Sequence, residues 1–316
     1  MDFDTQLYFP APSTRRQMLK IKISIVIGTF NRKRMLTNCI GSIRKNAITV
    51  PYEIIVVDGG SNDGTHKWLF KQKDVLTIVH HNRINLNGRM FMKKSWAYFM
   101  NLAFKSAEGD YICMLSDDCF IHPGAIMNGL EILEKNKGNQ VGGCAFPFRD
   151  SLMNDEYLIY KSFGKFFINH GIFRKEILEQ IGWIDENNFK FYLADTDLSL
   201  KIWDRGYSII VSMNSLVEHL QNEFDHMRDI NKRETEHNRD YTHFMKIWAS
   251  RFETNTKELP IEKMYLGIII PNELSAYIPK GLRFKTLLLD RWLKNYINKE
   301  FFLYSILRKL KWLFRG

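Results

Sequence analysis

The stretch CMLSDDCFIHP, residues 113–123, sets two adjacent aspartates, Asp117 and Asp118, at the end of an apolar run. The preceding GDYICML (109–115) is rich in residues that favour a buried strand. The pair therefore falls at the carboxyl end of a core strand, the edge of an open α/β sheet where ligands bind. Adjacent carboxylates repel each other, so a positive partner is expected beside them: a divalent cation, a Lys or Arg, or a helix N-terminus. The alternative is a turn in which the two acids cap a helix over PGAIMNGLEILEK (123–135).

Outward from this stretch the pattern alternates. KISIVIGT (22–29) reads as a strand, RKRMLTNCIGSIRKN (32–46) as an amphipathic helix and YEIIVVD (52–58) as a second buried strand. A Gly-rich turn (59–64) leads to a helix near THKWLFKQ (65–72) and a strand VLTIVH (75–80), and a longer helix is predicted around MFMKKSWAYFMNLAFKSA (90–107). This rhythm predicts an α/β fold with a mostly parallel central sheet and helices on both faces.

The composition limits the alternatives. A chain of 316 residues, 45% hydrophobic and 14% aromatic, can bury one large core or two moderate ones. Cys39, Cys113, Cys119 and Cys144 lack paired metal spacing and lie in or beside apolar runs, which predicts buried reduced thiols. No signal peptide and no uncharged apolar stretch long enough to span a bilayer is evident, so a soluble or peripheral protein is expected. The formal charge of +10 is concentrated after Gly281, where nine Lys/Arg stand against Asp290 and Glu300. No nucleic-acid motif accompanies that patch, and no nucleic-acid partner is expected.

Two strand ends point to a nucleotide. GTFNR (28–32) is a small turn leading into a basic helix start, and in VVDGGSNDGT (56–65) Asp58 closes a buried strand. A carboxylate at that place can accept from a base N–H or a ribose hydroxyl. An ordinary Asp-Gly turn with Ser61 or Asn62 capping the next helix is the alternative. The absence of GxGxxG after the first strand disfavours a dinucleotide-binding fold.

GTFNR, VVDGGSNDGT, NLAFKSAEGDYI (101–112) and LSDDCFIHP (115–123), followed by FRKEILEQIGWIDE (173–186), YLADTDLSLKIWDRGY (192–207) and VEH (217–219), together resemble glycosyltransferase family 2 of the GT-A fold. The resemblance covers roughly 22–220 and implies a catalytic domain with a Rossmann-like nucleotide-sugar half (22–120) and an acceptor half (121–220). A lead-in (1–21) would precede it and a helical C-terminal extension (221–316) would follow. The resemblance also implies an inverting transfer from a nucleoside-diphosphate sugar to a hydroxyl acceptor on a glycan or lipid-linked molecule. Donor contacts would come from Thr29, Asn31, Arg32, Asp58, Ser116, Asp117 and Asp118. Asp118, with His219 closing the shell, would hold Mn²⁺ or Mg²⁺, and Asp195 would be the general base. His170, Gly171 and Trp183 would lie beside sugar and acceptor.

Two positions depart from the family pattern. Ser116 stands where many members have Asp, and Ala194 replaces the first acid of the Glu-Asp-x-Asp box. The second departure leaves room for transfer to a polyprenyl phosphate, whose acceptor oxygen is already anionic, and a non-catalytic sugar-nucleotide binding module is a further alternative. Asp197 is expected to cap its helix. Residues 221–250, polar and charged, predict an exposed helix or lid leading away from the core. Residues 283–316 form a basic amphipathic stripe with Trp292 and Trp312, which predicts contact with an anionic membrane surface and a cytoplasmic protein peripheral at the inner face; packing on the catalytic domain or on a second subunit is the alternative.

Overall fold

A computed structural model describes residues 20, 22–150, 156–220, 230–252 and 261–266. The first half runs β1 (Ile23–Thr29), α1 (Lys33–Arg44), β2 (Tyr52–Asp58), α2 (Thr65–Leu69), β3 (Val75–Val79), β4 (Arg83–Leu86), β5 (Arg89–Met92), α3 (Trp96–Ser106) and β6 (Tyr111–Ser116). The chain continues through β7 (Cys119–Ile121), α4 (Ala125–Lys135), β8 (Val141–Ala145), β9 (Phe148–Asp150), β10 (Leu158–Ser162), β11 (Lys165–Phe166) and β12 (Gly171–Arg174). Then come α5 (Lys175–Gln180), α6 (Ala194–Asp204), β13 (Ser208–Val211), β14 (Val217–His219), α7 (Ile230–Trp248) and β15 (Ile261–Tyr265).

The main sheet has the order β13-β8-β12-β6-β1-β2-β3. It is mostly parallel, as expected; β12 alone runs against its two neighbours, β6 and β8. Strands buried on both faces need apolar residues at successive positions, and β1 has them: Val26 faces one core with Phe104, Leu198 and Phe244, while Ile25 and Ile27 face the other with Leu36, Ile40 and Leu130. A second sheet, β11-β10-β9-β14-β7, extends along one edge, with β15 paired to β10.

Three local expectations are corrected. The helix predicted over 90–107 begins only at Trp96. Asn87 (φ 52°) and Gly88 (φ 79°) form a two-residue turn that makes 83–92 a hairpin, and Ser95 caps α3 by accepting from the Tyr98 N–H at 3.2 Å. The acids at 117 and 118 do not cap α4, whose N-cap is Gly124. The segment expected to lead away from the core is instead tied to it: Asp240, Phe244 and Trp248 of α7 are buried. The predicted membrane stripe at 283–316 and most of the lead-in lie outside the described residues. Among the described residues no helix is long and apolar enough to cross a membrane.

Candidate active site

The register of the parallel strands places Thr29 opposite Asp58 and Gly28 opposite Ser116, so three strand ends converge on one edge. Two turns are laced together there. The Asn31 N–H donates to Ser61 Oγ (2.7 Å), Asn31 Oδ1 accepts from the Asn62 N–H (2.8 Å), and Asp63 accepts from the Lys33 N–H (2.9 Å). Asn31 takes the left-handed conformation (φ 53°), which asparagine tolerates better than most residues. Asp58 is fully buried and its carboxylate accepts from both the N–H and the hydroxyl of Ser61. Burial raises its pKa against the lowering effect of those bonds. In this structure Asp58 holds its own turn, while neither Ser61 nor Asn62 caps the next helix, α2, whose N-cap is Gly64.

The positive partner expected beside the aspartates is Arg32. One guanidinium nitrogen, Nη1, lies 3.0 Å from Asp117 Oδ1 and 2.9 Å from Asp118 Oδ2, and the Thr29 hydroxyl donates to Asp117 Oδ2 at 2.7 Å. The second sheet supplies the rest, because β14 pairs His219 with Cys119 on one side and with Asp150 on the other. His219 Nε2 stands 3.4 Å from Asp118 Oδ1, and its Nδ1 is 3.1 Å from Asp150 Oδ1. Burial opposes charge on Asp118, but His219 and Arg32 outweigh it and hold the carboxyl well below the usual range. Asp117, beside a second carboxylate, is pushed up to about 6 by burial against the pull of Arg32. His219 rises to about 9, because Asp118 and Asp150 overcome the cost of burying it.

A divalent ion fits this arrangement in part. Asp118 Oδ1 is buried and has no hydrogen-bond partner, and the imidazole nitrogen facing it belongs to a ring whose other nitrogen is held by a carboxylate, the usual support of a metal-ligating histidine. Among the described residues no group of three or more His, Cys, Asp or Glu could hold a metal alone. A hard ion here would draw its remaining oxygen ligands from a bound diphosphate.

Asp195 opens α6 behind Leu193, which is in the left-handed region (φ 60°). Its Oδ2 accepts from Asn169 Nδ2 at 2.6 Å and its Oδ1 from the Thr196 N–H at 2.8 Å. Burial raises its pKa against these bonds. Burial, and after it the charges of Asp150, Tyr265 and Asp195, push the Tyr160 hydroxyl up to about 12. The loop before α6 is fixed from behind by α7, where the Asp240 carboxylate accepts the backbone N–H groups of Lys190, Phe191 and Tyr192 at 2.9–3.2 Å. Asp197 departs from the expected cap; it accepts from the Trp248 indole instead.

The residues expected beside the acceptor sit in walls. His170 is buried between Cys119 and His219, its ring 5.2 Å from that of His219, and burial holds it neutral, down to about 3. Gly171 is buried where β12 meets β8, and a Cβ there would stand 2.2 Å from Cys144 O. Trp183 packs on Phe104 in the core, with ring centroids 6.4 Å apart. At Gly171 only backbone atoms are available for a contact, and the Trp183 ring contact seen is with Phe104. Asp150, Asn169 and Asp240 escaped the sequence reading. Asn169 could have been suspected as the neighbour of His170, whereas Asp150 and Asp240 have no local signal because strand pairing and helix docking alone bring them in.

The glycosyl transferase family 2 model matches residues 24–184, half of the chain. Chondroitin synthase from Pasteurella multocida is 27% identical over 151 residues, 44% of this chain but 14% of that protein. The uncharacterized glycosyltransferase YwdF from Bacillus subtilis is 26% identical over 191 residues, 55% of this chain and 67% of its own length. Among solved structures, the mannosyltransferase PcManGT from Pyrobaculum calidifontis, in complex with GDP-Man and Mn²⁺, superposes with a TM-score of 0.52 at 16% identity, over 72% of this chain and 65% of that one. The match shows the GT-A fold.

Proposed function

Because the chain belongs to glycosyltransferase family 2, we propose that it transfers a sugar from a nucleoside-diphosphate sugar to a hydroxyl of a glycan or lipid-linked acceptor, with inversion at the anomeric carbon. The observation that supports this reading is the convergence of three parallel-strand ends on one edge, where Arg32, Asp117, Asp118 and His219 meet.

In this reading residues 22–120 hold the donor and 121–220 face the acceptor. Thr29, Asn31 and Arg32 line the nucleotide side with Ser116, Asp117 and Asp118, and Arg32 offers positive charge to the diphosphate. Asp58 reaches a base only if Ser61 turns its hydroxyl away; otherwise it shapes the turn. Asp118 and His219 would hold Mn²⁺ or Mg²⁺, which when bound offsets the charge growing on the leaving diphosphate. PcManGT, of the same fold, was solved with Mn²⁺ and a nucleotide sugar.

Asp195 takes the proton of the acceptor hydroxyl as that oxygen bonds to the anomeric carbon. The bond from that carbon to the diphosphate oxygen breaks on the opposite face, and its electron pair leaves with the nucleotide. The burial that raises the Asp195 pKa brings it nearer neutrality, which strengthens it as a base. Asn169 holds the carboxylate's direction. The basic stripe at 283–316 would attract the protein to an anionic inner membrane face where lipid-linked acceptors lie.

The test is a donor screen: UDP-, GDP- and dTDP-sugars with Mn²⁺, reading nucleotide release and direct binding. One nucleotide class should bind and be released in a metal-dependent manner. Failure of every nucleotide sugar to bind, with or without Mn²⁺, overturns the reading.

A further inference from the structure

We propose that the β4–β5 hairpin is a membrane-seating element, which presses Ile84, Leu86 and Phe91 into the boundary region of an anionic lipid surface while Arg89 and Lys93 meet its headgroups. The proposal is independent of the transfer chemistry and of the C-terminal stripe.

The hairpin belongs to neither large sheet. Two strands alone are marginally stable in water, and this pair is fixed at its base by Asn82, which donates to Lys94 O (3.0 Å) and accepts from the Lys94 N–H (2.7 Å). Arg83 lies over the Phe30 ring at 4.2 Å, which ties one flank to the donor turn. The rest projects.

Cross-strand register sets what it displays. Ile84 pairs with Phe91 and Leu86 with Arg89, and directly paired residues share a face. Ile84, Leu86 and Phe91 are 40%, 54% and 46% exposed. An apolar face of this kind, rimmed by cations, marks an interaction site.

Charge selects the partner. No Asp or Glu occurs between Asp74 and Glu108, while Arg83, Arg89, Lys93, Lys94 and Lys105 fall in that interval. A second copy would bring the same positive hairpin, and the C-terminal stretch of this chain is itself strongly basic, so both are repelled. An anionic bilayer complements both features, since apolar insertion and headgroup attraction add. The placement is also useful. The hairpin follows β3, which is parallel to β2, so it leaves the sheet at the same edge as the donor turns. Seating it would bring the cleft to the plane where a lipid-linked acceptor is presented.

The experiment uses the full chain carrying Leu86→Cys labelled with an environment-sensitive fluorophore; the four native cysteines are buried. Vesicles of phosphatidylcholine with phosphatidylglycerol should shift the emission to the blue and raise it several-fold, and spin labels on the acyl chains should quench it. Pure phosphatidylcholine should do neither, added salt should weaken the effect, and Arg89→Glu with Lys93→Glu should reduce it several-fold. The same label at Phe70→Cys, an exposed site on the turn after α2, should stay in water. The proposal is overturned if the label at 86 remains water-exposed while the protein co-sediments with the vesicles. It is equally overturned if the emission shifts with protein concentration in the absence of lipid, which would mean a second copy covers the hairpin. Nucleotide release from soluble donors needs no vesicle, so failure here leaves the transfer reading standing.

Discussion

The indole Nε1 of Trp248 donates to Asp197 Oδ1 over 2.9 Å, while Asp197 Oδ2 is buried without a hydrogen-bond partner. This bond joins α7, which lies beyond the stretch matched by the family model, to the helix that carries Asp195. Burial pushes the Asp197 carboxyl up to about 6, and neither Lys201 nor the indole fully offsets it.

A stability prediction comes from that carboxyl. An unfolded aspartate titrates near about 3.9, so between that value and about 6 the folded state holds the extra proton. The penalty is absent below the lower value and grows as pH rises through the upper one. Asp197→Asn keeps an oxygen for the indole and removes the penalty. Above pH 6 it should be more stable than the parent by about 1–3 kcal/mol, with no difference near pH 4. Thermal melts across that range measure it, and identical pH slopes for the two proteins would contradict it.

Asp240 should matter to turnover more than to donor affinity. Asp240→Ala leaves three backbone N–H groups of 190–192 without their acceptor, at a cost of roughly 3 kcal/mol or more. The freed loop leads directly into Asp195. Donor titration and single-turnover rates separate the two effects; a loss confined to donor affinity would show that the loop does not position the base.

Asp195→Asn preserves shape and removes the proton acceptor, so turnover should fall by about 10² to 10⁴ with donor binding nearly unchanged. Collapse of both binding and melting temperature would instead identify Asp195 as a structural residue of the α6 start.

Asp118→Ala should abolish transfer and metal-dependent nucleotide binding while leaving the fold intact. Asp150→Asn weakens the support of His219 without touching the donor, and should reduce Mn²⁺ affinity by about 10- to 100-fold. Calorimetric Mn²⁺ titration in the presence of nucleotide measures both. Unchanged affinity in Asp150→Asn would remove His219 from the ligand set.

A buried cluster of four side chains around Glu218 gives a last expectation. Glu218, next to His219 but facing the other way, accepts from His122 Nε2 (2.8 Å), Arg149 Nε (2.7 Å) and the Tyr157 hydroxyl. Burial raises its pKa, yet these three bonds win and the net shift is downward. Its stabilising contribution is therefore present above the unfolded carboxylate range and lost as pH falls through the folded value. Glu218→Gln should destabilise the protein by about 3–5 kcal/mol at neutral pH, because it strands buried partners, and that deficit should shrink in acid. A neutral-pH melting temperature equal to the parent's would count against the network.

What the sequence determined by itself was local in origin. Apolar runs ending in Asp58 and Asp118 declare buried strands, and their alternation with helices requires crossovers that place those ends on one edge of a parallel sheet. That pattern groups the strand ends carrying Thr29, Asp58 and Asp118, and the family resemblance adds Arg32 and their roles. The Asn87-Gly88 pair carries a hairpin signal that the helix predicted over 90–107 passed over. Tertiary structure alone decided which charge answers the aspartates, because Arg32 and His219 reach them across 86 and 101 positions of chain through strand pairing that no local pattern encodes. It also decided that Asp58 bonds its own turn, that Asp197 serves Trp248, and that a polar, charged helix docks into the core. Side-chain hydrogen bonding between distant segments depends on how packed layers bring them to within about 3 Å, and that distance is a property of the assembled fold.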